Sequence, residues 1–208
     1  MCAAASTTIR SNWLLVTETL VPLKPGKEDE SSFKILVDTT RYSLNQSQLI
    51  QLGHQMEEVV KKIVSLSSEW KHVFIGNSTG KKEKDHVLVH QLSGRVVILE
   101  QKNNLNLDTE KCKSTATKLP RLIEEISSSP VIRDILSRPP VSIEAFILGS
   151  RYVQSSHIPT NIVKKYQGVR ILGMDDLCEF IGIEKMFGTE AEYRVFINDV
   201  LLPRIIRH

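Results

Sequence analysis

The run from Asp85 to Lys102 constrains the fold of this chain more than any other stretch. His86-Val87-Leu88-Val89 and Arg95-Val96-Val97-Ile98-Leu99 are apolar runs, the second rich in β-branched residues, and Ser93-Gly94 between them is a turn signal. The pattern predicts a β-hairpin. Side chains two apart on a strand share a face, so Glu100 and Lys102 point the same way as Val96 and Ile98. An acid and a base at the end of an apolar strand face are costly to bury unless paired or metal-bound. Asp85 opens the first limb, so the hairpin presents two carboxylates and an ammonium.

The surrounding sequence supplies a fold for that hairpin. From Ser47 to about Ser67, Leu49, Leu52, Met56, Val59, Ile63 and Leu66 recur at helical spacing, with Asn45 or Ser47 as a cap. Residues 73–76 (Val-Phe-Ile-Gly) read as a short strand. A polar segment from Asn103 leads into a helix ending near Ser127-Ser128-Ser129-Pro130. Residues 141–149 and 168–173 read as buried strands, with Pro159 opening a short helix between them and Asp175-Asp176 at the positive end of the next. The N-terminal runs 13–16 and 33–37 read as further strands decorating the sheet. Near the C-terminus, Thr189 and Glu192 form a capping box, Tyr193, Phe196, Ile197, Val200 and Leu201 an apolar face, and Pro203 a stop. The expected architecture is α/β, a mixed central sheet flanked by helices, divided into N-terminal strands (1–43), a core (44–182) and a C-terminal helix (183–208).

Asp85 opening one strand and Glu100-Gln101-Lys102 closing the next resemble the PD-(D/E)XK nuclease superfamily, over roughly residues 44–182. The resemblance implies a restriction-endonuclease-like core and a catalytic set of Asp85, Glu100 and Lys102. In that family the carboxylates hold one or two divalent ions, usually magnesium, and the lysine orients or activates the attacking water. Carried over, Asp85 and Glu100 are ligands for Mg2+ or Mn2+, and Lys102 offsets charge developing on the phosphate. Lys84 stands where the family usually has a proline. Several members add an acid from the first helix, and Glu57, at the edge of the apolar stripe, is the candidate third metal ligand. The helix alone equally allows Glu57 to pair with Lys61 at i,i+4.

Lys81, Lys82 and Lys84 precede Asp85 and are either phosphate contacts or a solvated turn. Asn103, Asn104 and Asn106 follow Lys102; asparagine pairs bidentately with adenine in the major groove, and it also forms turns and caps. Lys111 and Lys113, with Lys118 further on, lie on a segment whose face would track a nucleic-acid backbone.

The resemblance thus implies a magnesium-dependent endonuclease that hydrolyses DNA phosphodiester bonds and leaves a 5′-phosphate. The small size, the lack of a helicase or ATPase motif and the Asn-rich loop are similar to type II restriction endonucleases. Double-stranded DNA is then the partner and a homodimer the expected assembly; the C-terminal helix either packs on its own domain or makes the two-fold contact. A repair, recombination or RNA-processing nuclease would share the site, and a noncatalytic nucleic-acid-binding or scaffold protein would share the fold.

Composition agrees with this class and removes others. At 208 residues, 41% hydrophobic and 25% charged, the chain suits one substantial core, and its net charge of +3 permits nucleic-acid binding without requiring it. Cys2, Cys112 and Cys178 form no CxxC pair, so neither a zinc knuckle nor a disulfide framework is expected, and a reducing, cytoplasmic setting is. No signal peptide or membrane span is expected. His86 and His90 read as strand-surface residues without a third metal ligand nearby. A nucleophile elbow and a Gly-rich phosphate loop are both missing.

Overall fold

The computed structural model describes residues 11–23, 46–75, 85–106 and 109–206. The strand-forming runs become β1 (Trp70–Val73), β2 (His86–His90), β3 (Arg95–Lys102), β4 (Ser142–Gly149) and β5 (Ile171–Leu172), joined in that order as one five-stranded sheet. Pairs β1/β2 and β2/β3 are antiparallel, whereas β3/β4 and β4/β5 are parallel. The hairpin register sets His86 opposite Leu99 and Val89 opposite Val96. At its turn Gly94 adopts φ 74°, and its N–H donates to the His90 carbonyl at 2.9 Å. Parallel strands need crossovers, and helices supply both here.

A helix over residues 11–17 (α1), then α2 (Gln46–Ser65), α3 (Thr109–Ser127), α4 (Pro130–Leu136), α5 (Thr160–Lys165) and α6 (Met174–Phe180) surround the sheet. The C-terminal helix runs as α7 (Glu190–Val195), a π-helical turn (Phe196–Leu201) and α8 (Leu202–Ile205). Strand alternation divides the core in two. Leu88, Val97, Leu99, Phe146 and Leu148 meet α1, α2, α6 and the C-terminal helix, while Val87, Val89, Val96, Ile98 and Ile147 meet α3, α4 and α5. Each such fully buried aliphatic side chain contributes about 1.5–3 kcal/mol. The sheet is therefore covered on both faces, which is why its strands read as nearly continuous apolar runs.

The structure corrects several expectations. Residues 13–16 are helical, because Trp13 and Val16, three apart, are buried while Leu14 and Leu15 are exposed. Trp13 Nε1 donates to the Met186 carbonyl at 2.6 Å, which ties this helix to the far end of the chain. The expected strand at 73–76 lies earlier, as Trp70–Val73, since those residues face β2 in register and Phe74 is exposed. Only Ile171–Leu172 of 168–173 is strand, because Gly168 turns the chain with φ 80°. Pro203 does not stop the last helix; the π-helical turn before it widens the backbone and accommodates a residue that lacks an N–H. The apolar face of that helix is used internally, with Tyr193, Phe196, Ile197 and Leu201 all buried. The expected strand 33–37, Asn45 and the lysines 81, 82 and 84 lie outside the described residues.

One junction leaves no space for a side chain. A Cβ on Gly173, at the start of α6, would lie 2.5 Å from the Val153 carbonyl oxygen and 2.6 Å from the Gln154 nitrogen. Both are backbone atoms, so neither can swing aside. Gly173→Ala is expected to cost about 1–3 kcal/mol, read as a drop of several degrees in the thermal midpoint. A midpoint unchanged from wild type would show that the junction adapts.

Candidate functional site

Asp85 lies one residue before the His86–Leu99 pair, so the hairpin brings it beside Glu100. Its Oδ2 accepts the Gln101 main-chain N–H at 2.8 Å, which fixes the carboxylate against the neighbouring strand. Glu100 is only 6% exposed, and both of its oxygens are engaged. Lys102 Nζ donates to Oε1 at 2.8 Å, and Lys118 Nζ, from α3, donates to Oε2 at 2.6 Å. Strand alternation accounts for the Glu100–Lys102 pair; the packing of α3 over the same sheet face supplies Lys118.

Electrostatics separate the carboxylates. Burial, followed by the charge of Glu100, raises the Asp85 carboxyl above its usual range. Glu57 on α2 is raised by burial and then by the charge of Asp85, so it feels the same cluster from the helix side. Burial alone would raise Glu100 as well, but the two lysines hold it below the usual value. The alternative Glu57–Lys61 pair does not form: Lys61 binds Glu58 at 2.6 Å, and Glu57 stands 3.6 Å from His54 Nδ1.

Among the described residues no three His, Cys, Asp or Glu side chains close into a ready-made metal group. The donor chemistry nevertheless fits magnesium or manganese. Such ions use one or two carboxylates and complete their shell with water and substrate phosphate, so a closed protein cage is unnecessary. Asp85, just before β2, and Glu100, on β3, are two hard-oxygen groups whose repulsion a divalent cation would relieve.

A buried polar chain that the sequence did not reveal lies on the opposite face of the hairpin. His72 Nε2 and His86 Nδ1 are 3.2 Å apart, His86 Nε2 meets Gln101 Oε1 at 2.9 Å, and Gln101 Nε2 donates to Asn103 Oδ1 at 3.4 Å. His86 is thus a wholly buried residue, not a strand-surface one, because its ring faces inward between β1 and β3. Burial holds it neutral, with its pKa lowered to about 3, and lowers His72 too. The unfolded ring titrates near 6.5, so the native state is favoured above that pH and loses this stabilisation as pH falls toward 3. The slope approaches about 1.4 kcal/mol per pH unit. Urea unfolding at pH 7, 5 and 4 is expected to show this loss, with a shallower dependence in His86→Leu; identical dependences would remove His86 from the account.

The nucleic-acid candidates separate. Asn103 is committed inward, its Oδ1 accepting from the Ser150 hydroxyl as well as from Gln101. Asn104 Oδ1 accepts the Asn106 N–H at 2.9 Å, an Asx turn, and Asn106 Oδ1 accepts from Lys165 at 3.0 Å; both asparagines are exposed. Lys111 and Lys113 are exposed on the first turns of α3.

The chain matches no protein-family model and no curated protein. Its own residues therefore carry the reading. Lys118 is the site residue that sequence reasoning placed on a basic segment without connecting it to Glu100. It flanks the α3 stripe of Thr115, Leu119 and Leu122, a signal that it lies next to the sheet but not which strand residue it meets.

The site is also supported from the far end of the chain. The Ser150 N–H donates to the Lys102 carbonyl at 3.2 Å, and the Tyr193 hydroxyl donates to the Ser150 carbonyl. The C-terminal helix thereby supports the exit of β3. Among the described residues no helix is long and apolar enough to cross a membrane.

Proposed function

We propose that this chain is a divalent-metal-dependent DNA endonuclease with a PD-(D/E)XK, restriction-endonuclease-like core. The observation that carries the reading is the pairing across the hairpin: Asp85, fixed by the Gln101 N–H, beside a buried Glu100 that holds Lys102. The order α2, three antiparallel strands, α3–α4 and a parallel β4 supports it, since it sets both carboxylates at one end of the sheet.

Asp85 and Glu100 would hold Mg2+ or Mn2+, with Glu57 approaching from α2. When bound, the ion supplies Lewis acidity and lowers the pKa of a water to make a nucleophile at neutral pH. Lys102 holds its ammonium at the Glu100 carboxylate, where it orients the attacking water and offsets charge on the phosphate. Asn104, Asn106, Lys111 and Lys113 lie exposed beyond β3, where a duplex would be held.

The test is incubation with mixed-sequence duplex DNA and Mg2+ or Mn2+, beside Asp85→Ala and Lys102→Ala. Discrete products lost in both variants support a sequence-specific endonuclease. A smear lost in both supports a structure-selective or repair-type nuclease, and no cleavage with either ion moves the reading to a noncatalytic nucleic-acid-binding protein.

A further inference from the structure

We propose that Lys118 is a resident counter-ion of the site: its ammonium occupies the Glu100 oxygen that a divalent ion would use, and the ion binds by displacing it. The inference rests on the reading of Asp85 and Glu100 as metal ligands. It starts from a carboxylate with an ammonium on each oxygen, Lys102 on Oε1 at 2.8 Å and Lys118 on Oε2 at 2.6 Å. Each oxygen keeps a second lone pair, but a cation at Glu100 would lie against two ammonium charges, so withdrawal of one of them favours its binding.

The two lysines differ in how readily they can do so. Lys102 is part of β3, opposite Gly149 in the β4 register, and its carbonyl accepts the Ser150 N–H. Its side chain reaches a neighbour two residues away on the same strand face, and it is 23% exposed. Lys118 spans from α3 to the sheet and is 32% exposed, so its tip can swing into solvent while the helix stays in place. Both facts single out Lys118.

The device has a physical purpose. Asp85 feels the charge of Glu100, and Glu57 that of Asp85, in a part-buried setting. Without a cation, that repulsion opposes folding of the hairpin end. A second ammonium on Glu100 offsets it and keeps the carboxylate aimed, at the expense of competing with the ion. Lys118 is then a positioning residue that sets metal affinity.

The experiment measures Mn2+ binding by calorimetry, and thermal unfolding with and without Mn2+, for the wild type, Lys118→Met, Lys118→Arg and Asp85→Asn. Lys118→Met keeps the apolar stem and removes the charge. It is expected to bind Mn2+ at least about tenfold more tightly, about 1.4 kcal/mol, and to unfold at a lower temperature without metal. Its rise in midpoint on adding Mn2+ should exceed that of the wild type. Lys118→Arg should bind as the wild type does, or more weakly. A merely structural ion pair would lower the metal-free midpoint and leave Mn2+ affinity unchanged; Mn2+ binding lost in Asp85→Asn but equal or weaker in Lys118→Met overturns the proposal and leaves the metal site standing. No Mn2+ binding by the wild type, or binding indifferent to Asp85→Asn, overturns both.

Discussion

Asp85→Asn is expected to lower the proposed metal-dependent DNA cleavage by about a thousandfold, in line with the loss of a group that organises transition-state charge, while leaving the protein at least as stable as the wild type. The two halves of this expectation have separate causes. The substitution is nearly isosteric and retains an oxygen where Oδ2 accepts the Gln101 N–H at 2.8 Å, so the hairpin geometry survives. What disappears is the negative charge that the proposed metal needs. That charge is unfavourable in the metal-free fold, because burial and then Glu100 raise the Asp85 carboxyl above its usual range. A group whose ionised form is penalised on folding destabilises the native state at neutral pH, so a neutral replacement relieves strain. Activity and stability therefore move in opposite directions, as is common where a site is built for function at the expense of the fold. Single-turnover cleavage and a thermal melt of the same preparation check both halves. Cleavage within about tenfold of wild type would remove Asp85 from the catalytic set, and a sharply lower midpoint would make it a structural residue.

The largest stability effect is expected far from that site. Asp175 is fully buried at the start of α6, where its carboxylate accepts the N–H groups of Met186 and Phe187, each at 3.0 Å, and of Gly188 at 2.6 Å. Burial raises this carboxyl and the three donors pull it back, with the net shift still upward. The charge alone is therefore no gain. Its value lies in satisfying three amides that enter the turn before α7, where no helix or strand provides acceptors. Asp175→Ala would leave these donors without a partner, at about 1–3 kcal/mol for each one kept from water. Because the ionised carboxylate is itself costly to bury, the low end of the sum applies, about 3 kcal/mol, or roughly 10 °C in a chain of this size. The turn it holds carries Phe187, which contacts Trp13 of α1 and Phe196 of the C-terminal helix. Loss of the tether should therefore loosen both chain ends, which hydrogen exchange at residues 186–196 would register. A midpoint within about 2 °C of wild type would show that water reaches these amides and that the tether is dispensable.

Asp175 also marks how far the sequence can be read. It looked like a helix-start acid placed for the helix dipole, and Asp176 does serve the start of α6, its Oδ2 accepting the Gly173 N–H at 2.7 Å. Its neighbour faces inward and binds a segment eleven to thirteen residues later. Composition and spacing carry no signal for that contact. The same holds for His86, whose alternation with Val87 left it reading as a strand-surface residue and gave no sign of His72 and Gln101 on either side.

Elements with strong internal periodicity were legible. The hairpin, α2, β4 and the capping of α7, where Thr189 Oγ1 accepts the Glu192 N–H at 3.2 Å, lie where their patterns put them. The short runs were not. Residues 13–16 are too few to distinguish a strand from a buried helical turn, and Trp13 is buried by Phe187 and Phe196 from the other end of the chain. The helix α4 passed unnoticed because its seven residues, Pro130 included, follow a Ser-Ser-Ser break and offer barely two turns of pattern.

The sequence by itself determined that Glu100 and Lys102 share a strand face and that Asp85 opens the partner strand, because alternation along a strand is a local property of the backbone. Only the tertiary structure decided that Lys118 takes the second Glu100 oxygen, that Glu57 feels the charge of Asp85 and that Tyr193 supports the exit of β3 through Ser150. Those contacts join residues from separate elements. Their geometry depends on how the helices settle on the sheet, and that is set by the whole core rather than by any one segment.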